Sequence, residues 1–153
     1  MLGLFCLSQH NTDTLLWWGK MKKTKDPVKN WIKSSDYDIK TAEHMFESGR
    51  FVYVIFMCHL SVEKLLKALY EAALKDIPPK THSLIFLSKA ANLEMPEAHL
   101  KLIESLNDLS IVTRYPEDID DLVKALRKDR AEDYLKRTKG FLRWLKKEPR
   151  LKR

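Results

Sequence analysis

A chain of 153 residues is long enough to bury an ordinary core without disulfides or metal, and its length is that of one domain. Four glycines and six prolines among many Leu, Lys, Ala and Glu favour helix throughout, and two cysteines are too few for a disulfide scaffold. The net charge of +7 is one-sided: residues 127–153 hold twelve Lys/Arg against four Asp/Glu, whereas residues 1–126 hold sixteen against seventeen. Such a localised basic surface attracts phosphates, RNA or an acidic partner, and the plainer alternative is a solvated helix face with a frayed end.

The first twenty residues, MLGLFCLSQHNTDTLLWWGK, begin apolar but lack a basic leader and a small-residue cleavage site, so they do not read as a secretory signal. No apolar run reaches the roughly 20 residues of a membrane span, and a cytoplasmic protein with free thiols at Cys6 and Cys58 is expected. Residues 1–26 are set apart as an N-terminal extension or a start-site artefact, residues 27–147 as a helical domain and residues 148–153 as a basic tail.

Five helices follow in chain order. The first runs from Pro27 to Ser48, with Trp31, Ser35, Ile39, Ala42 and Phe46 recurring at three- and four-residue steps before a stop at Gly49. The second spans Phe51 to Lys75. Its first half, FVYVIFMCHL, is apolar nearly all round, as in a central helix, and its second half turns Val62, Leu65, Leu66, Leu69 and Ala73 inward. Pro78 and Pro79 break it, and Thr81 or Ser83 can cap a short third helix, LIFLSKAAN. Pro96 suits the first turn of a fourth, reaching Val112 with Leu100, Ile103, Leu106 and Leu109 or Ser110 facing the core. The fifth starts after Pro116 and runs to Lys147, with Glu117, Asp118, Asp120 and Asp121 in its first turn, where the helix dipole favours negative charge. No strand-like alternation occurs, so the expected fold is all-α, an up-and-down bundle of four to five helices.

Chemistry-bearing residues are few. His59, Glu63 and Lys67 lie at four-residue steps and therefore share one face of the second helix. That face is either a titratable cluster or an ion pair beside a core-edge histidine. His82 stands at a helix entrance, where an imidazole either packs and caps or contacts phosphate. Arg114 offers a planar fork for phosphate and Tyr115 a stacking face, unless Arg114 pairs internally with Glu63, Glu117 or Asp118 to fix the turn. His44 and His99 read as surface positions, and His10 falls in the extension. There is no glycine-rich phosphate loop and no set of metal ligands beyond the His59–Glu63 pair, so neither cofactor nor metal is expected.

Three stretches together resemble the HEPN domain family (higher eukaryotes and prokaryotes nucleotide-binding), in its small stand-alone prokaryotic form. They are Asp38-Ile39 and Ala42 with the aromatic-led Phe51–Phe56 and Glu63-Lys64-Leu65-Leu66-Lys67-Ala68, then Pro79 to Leu84 with its Thr-His pair, then Arg114-Tyr115-Pro116. The resemblance implies a helical bundle that forms a homodimer and binds nucleotide or RNA. It also implies a toxin–antitoxin-like pairing with a minimal nucleotidyltransferase. Many relatives are metal-independent endoribonucleases carrying Arg, four to six residues, then His. Here Arg50 precedes His59 by eight intervening residues, and no histidine follows Arg114. The resemblance therefore supplies no catalytic residue, and the leading expectation is a binding module, with an endoribonuclease toxin using Arg114 and His82 or His59 as the alternative.

Overall fold

The computed structural model describes residues 26–152. The expectations for Cys6, His10 and the N-terminal extension up to residue 25 lie outside them. Among the described residues every regular element is helical: α1 (Pro27–Glu47), α2 (Phe51–Leu74), α3 (Leu84–Ala90), α4 (Glu97–Arg114), α5 (Ile119–Ala125), α6 (Lys128–Leu145) and a closing 3₁₀ turn (Pro149–Leu151). The all-α bundle is as expected.

α1 starts where Asp26 accepts a hydrogen bond from the Lys29 amide (3.0 Å) and Pro27 sits in the first turn. It buries Val28, Ser35, Asp38 and Ala42 against α2. Two small serines let the helix backbones approach closely, and each hydroxyl satisfies a carbonyl of the opposite helix. Ser35 Oγ donates to the Ser61 carbonyl (2.7 Å) and Ser61 Oγ to the Ser35 carbonyl (2.9 Å). Lys64 Nζ closes the same interface on the Asp38 carboxylate at 2.6 Å.

The reversal into α2 is a Schellman turn. Arg50 N–H donates to the Met45 carbonyl and Gly49 N–H to that of Phe46, with Gly49 at φ +74°. A Cβ at Gly49 would meet nothing within 4 Å, so its only cost is the left-handed backbone. Gly49→Ala is therefore expected to destabilise the fold by about 1 kcal/mol, read as a lower urea midpoint with an unchanged slope.

α2 is the central helix, with 14 of its 24 residues buried, and α1, α3, α4 and α6 pack around it. Val62, Leu65, Leu66 and Leu69 face inward as expected, and Ala72 rather than Ala73 is the buried alanine. Of the two capping candidates it is Ser83 that receives the Phe86 amide (3.2 Å), while Thr81 Oγ1 accepts from Ser83 N–H. α4 turns Ile103, Leu106 and Ser110 inward as expected, but buries Leu102 and leaves Leu100 38 % exposed, which corrects the first member of the stripe. It also runs two residues past Val112, ending on Arg114.

The expected fifth helix is two. The chain leaves the helical path at Leu126 and Arg127, the latter extended at ψ 178°, so that Leu126 points into the core at 1 % exposure. Burying one leucine there outweighs the hydrogen bonds of a continuous helix. α5 itself buries no residue. α6 then supplies Phe141, Leu142 and Leu145 to the core, and the C-terminal tail packs as far as Leu151, held by Arg150 donating to the Ala91 carbonyl. It is not a frayed end.

Candidate functional site

Glu63 is the hub. It projects from the middle of α2 with its side chain only 5 % exposed, and three elements bring it donors. Lys67, one turn on, donates to Oε1 at 2.8 Å. His82, in the loop before α3, donates through Nδ1 to Oε2 at 2.9 Å. Arg114, the last residue of α4, places its guanidinium 3.9 Å from Oε2. Burial alone would raise the Glu63 carboxyl, but the Lys67 and His82 hydrogen bonds outweigh it and hold the group below the ordinary carboxylate range. Glu63 is thus an ionised carboxylate surrounded by more cationic donors than it has charge to neutralise.

The sides of the cluster are aromatic. Arg114 lies over the Phe56 ring at 5.3 Å, and Lys67 over the Trp31 ring at 5.5 Å. Trp31 in turn donates its indole N–H to Glu71, which continues the 59–63–67 stripe by one more turn. Neither Phe56 nor Trp31 is among the residues that sequence reasoning places here. The signal for Phe56 is present in its spacing, seven residues before Glu63 and so on the same face of α2, whereas Trp31, on another helix, carries none.

The remaining expected residues divide. His59 belongs to the cluster but faces inward. It is fully buried, donates through Nε2 to the His82 carbonyl (3.1 Å), and holds Nδ1 3.8 Å from Glu63 without a hydrogen bond. Burial pulls its pKa down to about 4, so it is a neutral strut that ties α2 to the His82 loop. Tyr115 is 79 % exposed at the mouth and its hydroxyl makes no hydrogen bond among the described residues. Of the internal anchors considered for Arg114, Glu63 is the one it meets, as an ion pair at 3.9 Å, while Asp118 instead caps α5 by accepting the amides of Asp120 and Asp121. His44 is on the surface as expected. His99 is half-buried, packed against Phe141 and Trp144, and its pKa is lowered by that burial. The Cys58 thiol is buried and pushed up to about 12, hence unreactive.

Two side chains retain free chemistry. Arg114 is ion-paired with Glu63 at 3.9 Å but makes no hydrogen bond among the described residues, so the N–H donors of its guanidinium remain available, oriented by Phe56. His82 is 65 % exposed, and with Nδ1 committed to Glu63 its Nε2 is the ring nitrogen left for an incoming group. Among the described residues no group of three or more His, Cys, Asp or Glu side chains is placed to hold a metal, and no helix is long and apolar enough to cross a membrane.

Comparison with known proteins agrees with this architecture. The chain superposes on TT1696 from Thermus thermophilus with a TM-score of 0.68 at 19 % identity, covering 80 % of this chain and 98 % of that one. It superposes on ST0689, an archaeal HEPN homologue, with a TM-score of 0.65 at 22 % identity, covering 84 % and 98 %. At those identities the likeness is one of fold. No curated protein matches the chain closely enough to count as a relative. The HEPN domain family model matches residues 28–148, which contain all of Glu63, Lys67, His82 and Arg114, and the chain is a member of the HEPN family.

Proposed function

We propose that the Glu63 cluster is a phosphate-recognition site, and that the protein is a nucleotide- or RNA-binding module working as one half of a two-component, toxin–antitoxin-like pair with a minimal nucleotidyltransferase. The observation that carries the reading is the Arg114 guanidinium, ion-paired with Glu63 yet without a hydrogen bond among the described residues. It is held over Phe56, 19 % exposed, beside a carboxylate that already has Lys67 and His82 as donors. An entering phosphate finds a planar bidentate donor oriented before it arrives, and Tyr115 stands exposed at the adjoining turn to stack on a base. The chain shows no acid pair of the nucleotidyl-transfer type, which is why that chemistry is assigned to a partner chain. A homodimer is supported by the apolar surface where Tyr53 of α2 meets Ile119 and Val123 of α5, all more than half exposed.

Nucleotide binding stabilises the folded state by mass action, about 2.7 kcal/mol at a hundredfold excess over Kd. The expected result is a rise in Tm with mononucleotides that disappears in Arg114→Ala while the helical circular dichroism of the variant is unchanged. An equal rise in wild type and variant contradicts the assignment.

One observation favours a second reading, a metal-independent endoribonuclease. Glu63 orients His82 through Nδ1 and leaves Nε2 outward, as a carboxylate does for a general base, with Arg114 beside it to stabilise charge on the phosphate. In that case RNA incubated without metal is cleaved by the wild type and not by His82→Ala.

A further inference from the structure

The outer face of the bundle formed by α1 and α6 has no part in the Glu63 cluster. The two helices run antiparallel, in a register set by two ion pairs seven residues apart on each: Asp36 with Lys146 and Glu43 with Lys139. Those pairs neutralise the acids at the seam, and Lys40 reaches Glu43 as well (3.0 Å), so that carboxylate meets two lysines. Lys139 first and Lys40 second hold the Glu43 carboxyl below its usual range. Beyond the seam the α6 side is basic toward its C-terminal end, while the α1 side ends on the exposed Glu47, paired with His44. From Lys136 to Lys147 there are six Lys/Arg and no carboxylate. Lys136 and Arg143 fall on the solvent side of α6, opposite the buried Tyr134, Thr138, Phe141 and Leu145, with Lys147 exposed in the turn beyond, and Glu132 marks the other end of the stripe. Across the seam, Lys33 and Lys40 of α1 stand one turn to either side of Tyr37, which is 76 % exposed. Trp31, which serves the Glu63 cluster, is two positions from Lys33 and so lies on the other side of α1.

We propose that this two-helix face binds single-stranded RNA, its lysines and Arg143 following the phosphates and Tyr37 stacking on a base. It rests on the reading of the protein as an RNA binder and adds a second place of contact. Charge alone would serve an acidic protein equally well. An aromatic ring held out into solvent among cations has no such use, whereas every base offers a face to stack on. The stripe on α6, Lys136 to Arg143, runs about 10 Å at the helical rise, and Lys147 extends it into the turn beyond, enough for more than one phosphate.

The test is fluorescence anisotropy of a labelled 20-nucleotide uridine RNA at several salt concentrations. Lys33→Glu, Lys136→Glu and Arg143→Glu are combined in one variant, since none of the three makes an ion pair among the described residues. Lys139 and Lys146 are left intact because they hold α1 to α6. The variant is expected to keep its Tm and to bind at least tenfold more weakly. The slope of log affinity against log salt should flatten by about 2, as for three lost single-strand phosphate contacts. Tyr37→Ala should weaken RNA binding about fivefold or more without changing that slope. Wild-type binding too weak to measure at low salt, or unaltered binding by the triple variant, overturns the proposal. So does polyglutamate displacing RNA with equal potency while Tyr37→Ala has no effect, which would make the face a dock for an acidic protein. Failure here is separable from failure of the Glu63 site, because the mononucleotide Tm shift depends on Arg114 and not on these residues.

Discussion

Glu63→Ala is expected to lower the free energy of unfolding by about 3–5 kcal/mol, because removing one partner of a buried charge cluster leaves the others uncompensated. Lys67 is 8 % exposed and its ammonium loses its carboxylate at 2.8 Å. Arg114 loses the anion beside it, and His82 loses the acceptor that holds its loop against α2. The loss is one of charge more than of volume, which two further variants reveal. Glu63→Gln keeps the shape and one acceptor, and should lie between Ala and wild type. Glu63→Met combined with Lys67→Met removes both members of the tightest pair, and should cost less than the sum of the two single changes. Urea denaturation of the set measures all of this. A loss below about 1 kcal/mol for Glu63→Ala, or strict additivity of the double change, would contradict the hub described above.

Acid should destabilise the protein in a window set by His59. Its pKa is about 4 in the fold against the ordinary 6.5, with burial as the leading cause. Between those values the unfolded chain binds a proton that the native state refuses, so stability is complete above about pH 6.5 and falls as the pH drops toward 4. A depression of that size corresponds to about 3 kcal/mol. Glu63 acts in the same direction lower down: its folded pKa is depressed, so its contribution is present above the unfolded carboxyl value and is lost as the pH falls through the folded one. His59→Gln, which keeps a donor for the His82 carbonyl, should remove most of the slope between about pH 6.5 and 4.5 while leaving the lower limb in place. Urea midpoints at about pH 7, 5.5 and 4.5 decide it, and a midpoint independent of pH in the wild type would count against a neutral, buried His59.

How far the sequence foretells this site depends on how local each feature is. His59, Glu63 and Lys67 share a helix face by spacing alone, and the structure keeps them together. That Glu63 is the hub is not local. His82 is 19 residues away and reaches it through a loop, while Arg114 arrives from the far end of another helix, so only the resemblance of their motifs marks them in advance. The break at Leu126 carries no Gly or Pro and is decided by a core position that opens between α5 and α6. Spacing on α4 rightly turns Ile103, Leu106 and Ser110 inward but takes Leu100 as the first member where Leu102 is buried, because periodicity does not fix how far along the helix neighbours cover a face. The α1–α6 seam is legible only once Asp36 and Lys146 are known to meet across 110 residues.

At the Glu63 cluster, Arg114 and His82 present their free nitrogens to a nucleotide phosphate in the function proposed above. The most direct test is a titration of the ¹⁵N-labelled protein with a mononucleotide, observing the Arg114 Nε–Hε and the His82 ring nitrogens by NMR. Both are expected to shift together and saturate at one common Kd. Nucleotide binding that saturates while Arg114 and His82 stay still would contradict it.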